Sequence, residues 1–414
     1  VYPELLAPAG SFACAEAAFA HGADAVYAGI GKFNLRAHSP NFEIDEFGEL
    51  LKLAAVSGKR VYGALNIMPS DDMMASIEDT LRQSVDARSV PAAFIISDPG
   101  VLSLIKEICP SVPIHLSTQS GCFNSAAMKF WREQGVSRVI LPRELCIDQI
   151  RRLSRLRDVK TEVFVHGAMC VSISGRCLLG VYYGGRHPNL GDCPQPCRIR
   201  YRVTPIDTDD NRRVNGCQHN GFDVEETGAG VYLLNSKDLC AVEIIPGLIE
   251  SGVSSLKIEG RNKTAHYVAS TVRVYRDAID TYTASPSDYK MKDWWREELD
   301  AIDHRPYTTG FYDGDPIKQE IFSSKAKAGY RLVGTVKAVI DGRPVVDVKN
   351  VFSVESAPIS VLPVKSAMPF DLTFDAILEL DGAQTQRARP NRLVLLDGCD
   401  ENLRVGDMLR VRYV

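Results

Sequence analysis

The chain has 414 residues, 45% of them hydrophobic and 24% charged, with a formal net charge of −4. This is the composition of a soluble globular protein with room for one large domain and a small one; no apolar run approaches the roughly 18 residues that span a bilayer, and the opening VYPELLAPAG lacks the basic-then-apolar layout of a secretory leader. The near-neutral balance argues against a globally basic nucleic-acid binder, while leaving room for a local basic surface that holds one structured RNA.

In chain order, short apolar runs alternate with helix-patterned stretches: ELLAPAG (4–10), AVYAGI (25–30), RVYGALN (60–66), AAFIISD (92–98), PIHLSTQ (113–119), RVILPRE (138–144), TEVFVHG (161–167) and SSLKIEG (254–260). Helical spacing between them is exemplified by Phe47, Leu50, Leu51, Leu53 and Ala54. Strands that are apolar throughout, each followed by a helix, predict a parallel sheet covered on both faces. Eight such units within about 260 residues match a TIM-type (β/α)8 barrel. A doubly wound open sheet is the alternative, but it rarely needs eight consecutive units without a second domain.

The rhythm breaks after the seventh run. Residues 168–253 form a long insertion that carries more than half of the eleven cysteines. So long a βα connection is functional or disordered, and its cysteine density disfavours disorder. Within it, TPIDTDDNRRVNGCQHNGFDVEETGAG (204–230) reads as a surface loop or hairpin. The barrel with its insertion is thus expected over 1–285, a polar linker with short helices over 286–327, and a small all-β barrel domain over 328–414. Asp-Gly pairs at 341–342, 381–382 and 397–398 supply hairpin turns in that last domain.

In a TIM barrel the C-terminal ends of the strands form the active face. Here those ends carry Asn66, Ser97, Asp98, Ser117, Gln119, Arg143, Glu144, His166, Glu259 and Arg261. Asp98, Glu144 and His166 are the acid–base candidates; His166 adjoins Cys170, and an imidazole titrates near neutrality. The competing reading makes His166 a hydrogen-bonded strand cap. Asn66, His115, Gln119, Arg143, Arg176, Arg198, Glu259 and Arg261 are the substrate-binding candidates. Arg143 and Arg261 suit a carboxylate or phosphate through bidentate contacts, unless Arg143 is spent on an internal pair with Glu259.

The densest signal is HGAMCVSISGRCLLGVYYGGRHPNLGDCPQPCRIRY, with Cys170, Cys177, Cys193 and Cys197, followed later by Cys240. In a reducing cytoplasm, the expected location, metal or redox chemistry explains such a set better than disulfides. Thiolates hold iron and zinc alike. Only Cys193 and Cys197 have the close spacing of a structural zinc pair, whereas the wide intervals suit a cluster, and iron–sulfur clusters take four thiolates. Zinc remains the alternative. Cys14, Cys109, Cys122, Cys146, Cys217 and Cys399 stand singly and read as small apolar residues, Cys146, just after the sixth run, being the one least readily set aside. No HExxH, GxSxG or Walker A pattern is present. The basic run RRLSRLRDVK (151–160) reads as a solvated helix face; Arg198, Arg200 and Arg202 are the better RNA or anion candidates.

The stretch EVFVHGAMCVSISGRC closely resembles the signature of the peptidase U32 family. The resemblance continues through PELLAPAGS, GADAVYAG, SDPG, IHLSTQ, RVILPREL, RHPNLGDCPQPCR and NSKDL with SLKIEGR, and covers the barrel. Length and the β-rich tail look most like the branch of the family that hydroxylates tRNA. The resemblance implies a hydroxylase rather than a protease: oxygen-independent, dependent on an iron–sulfur cluster of [4Fe-4S] type, and acting on carbon 5 of the tRNA wobble uridine in a prephenate-linked pathway. Its implied partners are tRNA, a small anionic donor such as prephenate, and iron–sulfur assembly and electron-donor proteins, with no membrane. Cys170, Cys177 and Cys193 match the family's cluster cysteines; the fourth matches Cys240 in some members and Cys197 in others. Ile173 and Ile199 depart from the usual Tyr and Trp. Two other readings stand beside this one: a collagenase-like hydrolase, for which no activated nucleophile is visible, and a zinc-bound RNA-binding module without catalysis.

Overall fold

Each of the eight apolar runs forms a strand. The computed structural model describes residues 2–37, 41–202, 232–314, 329–356, 358–365 and 368–413. β1 (Glu4–Pro8), β2 (Ala25–Gly29), β3 (Arg60–Leu65), β4 (Ala93–Ile96), β5 (Ile114–Leu116), β6 (Val136–Ile140) and β7 (Lys160–Ala168) lie side by side in parallel. After β8 (Asp238–Cys240), β9 (Ser255–Ile258) pairs in parallel with both β7 and β1 and closes the barrel. Strands β1 and β2 are buried along their whole length, as apolar strands between two layers must be.

The outer layer comprises α1 (Phe12–Ala20), α2 (Ile44–Val56), α3 (Asp71–Asp86), α4 (Pro99–Ile108), α5 (Ser125–Glu133) and α6 (Ile147–Ser154), then α8 (Ile245–Glu250) and α9 (Ala265–Ala284) after the short α7 (Leu179–Gly184). Local sequence sets their ends. Asp98 caps α4 by accepting from the amides of Gly100 and Val101, with Pro99 in the first turn. In α2, Phe47, Leu50 and Ala54 recur on one face and are buried. The returning part of the expected insertion belongs to the barrel wall: β8 adds antiparallel to β7, and α8 takes the place of a barrel helix. The excursion across the barrel mouth therefore ends before Asp238. Its expected loop at 204–230 and Cys217 lie outside the described residues, as do residues 315–327 of the linker. The described linker carries α10 (Asp293–Asp300) and β10 (Tyr307–Thr308), which pairs with β8.

The C-terminal domain is antiparallel: β11 (Tyr330–Ile340), β12 (Arg343–Val348), β13 (Phe352–Ser353), β14 (Ile359–Leu362), β15 (Phe370–Leu372), β16 (Ala376–Leu378), β17 (Gln384–Thr385), β18 (Arg387–Ala388), β19 (Leu393–Asp397) and β20 (Met408–Arg412). Eight of these form one sheet in the order β15-β14-β20-β11-β12-β19-β16-β17, and β13 pairs with β18. The sheet has its own core, including Val336, Phe352, Leu372, Ile377 and Leu396. It docks on the barrel through Leu362 and Met408 packed against Ala17 of α1 and Ala269 of α9.

The lower half of the barrel interior is ionic rather than apolar. Glu162 lies 3.0 Å from both Lys257 and Arg138, and Arg138 reaches Glu4 at 2.6 Å. The Tyr62 hydroxyl donates to Glu4 at 2.7 Å. All five side chains are buried, so each charge is retained only because its neighbours compensate it.

Candidate functional site

Above this ionic layer, at the C-terminal ends of the strands, a pocket of about 190 Å³ opens. Its floor is Lys257, whose ammonium lies 4.3 Å from the centre of the Tyr27 ring. On one wall the Arg143 guanidinium covers the Phe164 ring at 3.8 Å and donates to the Ala168 carbonyl. Opposite, Glu259 pairs with Arg36 at 2.9 Å and accepts from the Tyr27 hydroxyl at 3.1 Å. The ion pair of Glu259 is thus with Arg36 and not with Arg143, the partner weighed from sequence. Burial works against charge on Glu259, but Arg36, Arg143 and Arg261 outweigh it and hold the carboxyl below its usual range. Arg261 is buried and gripped by Asn34 and Asn41 at 2.7 and 2.6 Å. Burial lowers its guanidinium to about 10, which still leaves it charged at neutral pH.

The cysteine-bearing segment is pinned over this mouth by predicted site residues. Glu144 accepts from the Ser174 amide at 2.6 Å, and Ser174 sits in the left-handed region at φ 48°. Arg176 donates to the Gln119 carbonyl, while the Gln119 side chain accepts from the hydroxyls of Ser97 and Ser117. Asn66 donates to Ser117 and accepts from the Leu35 amide. Asn189 exchanges hydrogen bonds with the backbone of Cys177.

This arrangement brings Cys170, Cys177, Cys193 and Cys197 to one pocket together with Asn66, Gln119, Arg143, Glu144, Arg198, Glu259 and Arg261. All four thiols are free, and Cys170 and Cys193 are exposed. The Leu179 amide donates to the Cys177 sulfur at 3.4 Å. Burial pushes the Cys197 thiol up; the nearby Cys170 and Cys193 add to this, and Arg198 opposes it. Four soft donors with an amide aimed at one sulfur fit an iron–sulfur centre in number and chemistry. Among the described residues, no three Cys, His, Asp or Glu side chains have the close grouping of a single-ion site.

The pocket is also cationic. Arg36, Arg143, Arg198, Lys257 and Arg261 line it against only Glu144 and Glu259, in a chain whose net charge is negative. Among the described residues, Arg143 Nε, Arg261 Nε, Glu144 Oε2 and Ser174 Oγ are buried without a hydrogen-bond partner. Buried polar groups are rarely left so, and a bound polar ligand would supply the missing partners.

Five candidates lie elsewhere. Asp98 is the helix cap described above. His115 is buried in the ionic layer, edge-on to Tyr62 at 4.7 Å, and burial, reinforced by Arg138, lowers its imidazole to about 3. Arg176 reaches the rim without lining the pocket. His166 faces outward into a cage of Tyr267, Tyr275 and Tyr307, and burial lowers it to about 3. The cause is a register shift: Phe164 aligns with Lys257, yet His166 aligns with Ile258, so one extra residue in β7 turns the histidine to the outer face. Cys240 lies opposite His166 on β8, 3.9 Å from the Tyr275 hydroxyl, and burial pushes its thiol up to about 11. Tyr27, Arg36 and Lys257 were not singled out from sequence. For Lys257 a signal existed, a lone cation inside the apolar run SSLKIEG.

Comparison with known proteins gives a family model described as "Peptidase family U32" matching residues 10–321. The "tRNA hydroxylation protein P1" of Bacillus subtilis is 38% identical over 81% of this chain and 77% of its own length. The "23S rRNA 5-hydroxycytidine C2501 synthase" of Escherichia coli is 34% identical over 69% of this chain and 40% of its own. A protein named "Collagenase" from Porphyromonas gingivalis is 32% identical over 76% of this chain and 74% of its own.

Proposed function

The chain belongs to peptidase family U32, and on that premise we propose that it is an RNA hydroxylase that uses an iron–sulfur cluster and needs no molecular oxygen. The observation that carries this reading is the convergence of four free cysteines and five cationic side chains on one pocket. Relatives named for tRNA hydroxylation and for 5-hydroxycytidine synthesis support RNA as the substrate. In the finer form of the proposal the target is carbon 5 of the tRNA wobble uridine, in the cytoplasm.

Cys170, Cys177, Cys193 and Cys197 would hold the cluster, of [4Fe-4S] type, and Cys240 is the alternative fourth ligand. When bound, the cluster supplies one-electron chemistry. The chain's own residues bind and orient the reactants. Arg143, Arg261 and Lys257 take the carboxylates of a small anionic co-substrate, with prephenate the first candidate, and Arg198 takes RNA phosphate. Glu144, whose Oε2 is buried and lacks a partner among the described residues, presents that oxygen to a polar group of the bound reactants. The family's name and the collagenase relative keep a hydrolase reading in view. Yet no described histidine lines the pocket to activate a thiol, and four thiols exceed what a nucleophile needs.

The test is anaerobic purification with iron and sulfide analysis and electron paramagnetic resonance. About four iron and four sulfide per chain are expected. Loss of the cluster in Cys197→Ser with retention in Cys240→Ser supports the ligand set above. Zinc in place of iron overturns the cluster. Unchanged tRNA nucleosides in a deletion strain, read by mass spectrometry, overturn the tRNA substrate.

A further inference from the structure

The rim of the pocket exposes apolar surface that the chemistry beneath it does not use. Leu179 of α7 lines the pocket, and one turn further Tyr182 and Tyr183 are 79% and 60% exposed. Ile173 (61%) and Leu178 (52%) are exposed on the same cysteine-bearing segment. Tyr183 is held edge-on to Tyr201 at 6.1 Å, and Tyr201 is fixed by its hydroxyl donating to the Pro196 carbonyl at 2.8 Å. Tyr183 is therefore braced, with Tyr182 exposed beside it. Large apolar side chains gathered at a site and left in water mark a surface that a partner covers.

Charge identifies the partner. Between residues 169 and 202 the chain has five arginines (176, 186, 198, 200 and 202) and one acidic residue, Asp192, which is paired with Arg186 at 2.5 Å. A locally basic segment on a net-acidic chain, with tyrosines interleaved, is the pattern that binds unpaired nucleic acid, arginines tracking phosphates while aromatic faces stack on bases. The pocket adds a geometric requirement. It is recessed at the strand ends, so a base that enters it must first leave any duplex, and its neighbours in the strand are then free to stack.

We infer that Tyr182 and Tyr183 form a stacking platform for the unpaired nucleotides flanking the target base, with Arg200 and Arg202 on their phosphates. This rests on the RNA reading and deepens it by assigning residues to the nucleotides on either side of the target base.

The experiment uses the full chain, prepared anaerobically, with a hairpin RNA carrying an unpaired loop and the same sequence annealed as a duplex. The wild type is expected to favour the hairpin loop. Tyr182→Ala/Tyr183→Ala is expected to lose at least roughly tenfold in affinity for the loop, Tyr182→Phe/Tyr183→Phe to retain it, and both to match the wild type in metal content and melting temperature. Equal loop affinity in the alanine variant, or equal wild-type affinity for loop and duplex, overturns the platform while leaving RNA hydroxylation standing. A wild type that binds a protein partner through these tyrosines but no RNA overturns the platform and the RNA reading together.

Discussion

Glu162 sits between two cations in the floor beneath the pocket. Burial alone would raise its carboxyl, but Lys257 and Arg138 outweigh burial and hold it at about 2. Its folded value lies below its unfolded one, so its contribution is complete above the ordinary carboxylate range near 4.5 and is lost as pH falls towards 2. Glu162→Gln would leave Lys257 and Arg138 buried with less compensation, and the expected loss is about 3–5 kcal/mol at pH 7, read by denaturant unfolding. The buried histidines act at a milder pH. Burial is the first cause that lowers His21 and His266 to about 4 and His115 and His166 to about 3. Each is neutral when folded and charges more readily when unfolded. Stability is therefore complete above about 6.5 and falls as pH drops towards 4, by up to about 1.4 kcal/mol per pH unit for each histidine. His166→Gln should reduce that acid slope by about one proton; a slope unchanged between pH 6.5 and 5 would show that His166 is not buried neutral. This also bears on its role. A proton shuttle at Cys170 suits an imidazole titrating near 7, whereas the aromatic cage holds His166 neutral on the far side of β7.

Two close backbone approaches between elements set the pocket's charged wall. Gly10, two residues past β1, stands where a Cβ would lie 2.1 Å from the Arg261 carbonyl, and Gly167, at φ 103° near the end of β7, stands where a Cβ would lie 2.4 Å from the Glu259 carbonyl. The strand ends carrying the two charged residues can approach their neighbours this closely only because both positions lack a side chain. Gly10→Ala is expected to displace the Arg261 turn, cost about 1–3 kcal/mol, and weaken binding of a dicarboxylate probe in calorimetry while the iron content persists. Unaltered probe affinity would separate Arg261 from anion binding. At this scale the barrel was legible: strands buried on both faces are continuously apolar, and the helices between them keep their period. The bulge in β7 was not, because it depends on which residue of β9 faces each residue of β7, a register that no local pattern encodes.

Across the whole molecule, the two domains are joined by a buried ionic clamp. Arg410 of β20 makes a two-pronged pair with Glu298 of α10, one contact at 2.7 Å, and also reaches Ser360 at 3.3 Å and His266 at 3.4 Å. Tyr330 lies beneath its guanidinium at 4.3 Å. Arg410→Leu leaves Glu298 buried without its partner; a loss of about 3–5 kcal/mol is expected, and in scanning calorimetry a single unfolding transition should divide into two. An unchanged thermogram would mean that the apolar seam of Leu362 and Met408 suffices to join the domains. Sequence by itself determined the barrel, the β-rich tail, the family and the cysteines worth naming, because strand burial, turn chemistry and sulfur chemistry are written in residue type and spacing. Tertiary structure decided which of those residues share a pocket. It gathers Cys197 there with Cys170, Cys177 and Cys193, turns His166 to the outer face of β7 with Cys240 opposite it on β8, and adds Arg36, Tyr27 and Lys257. Those choices follow from strand register and from the path of one segment across the barrel mouth, which are properties of chain packing rather than of any stretch of sequence.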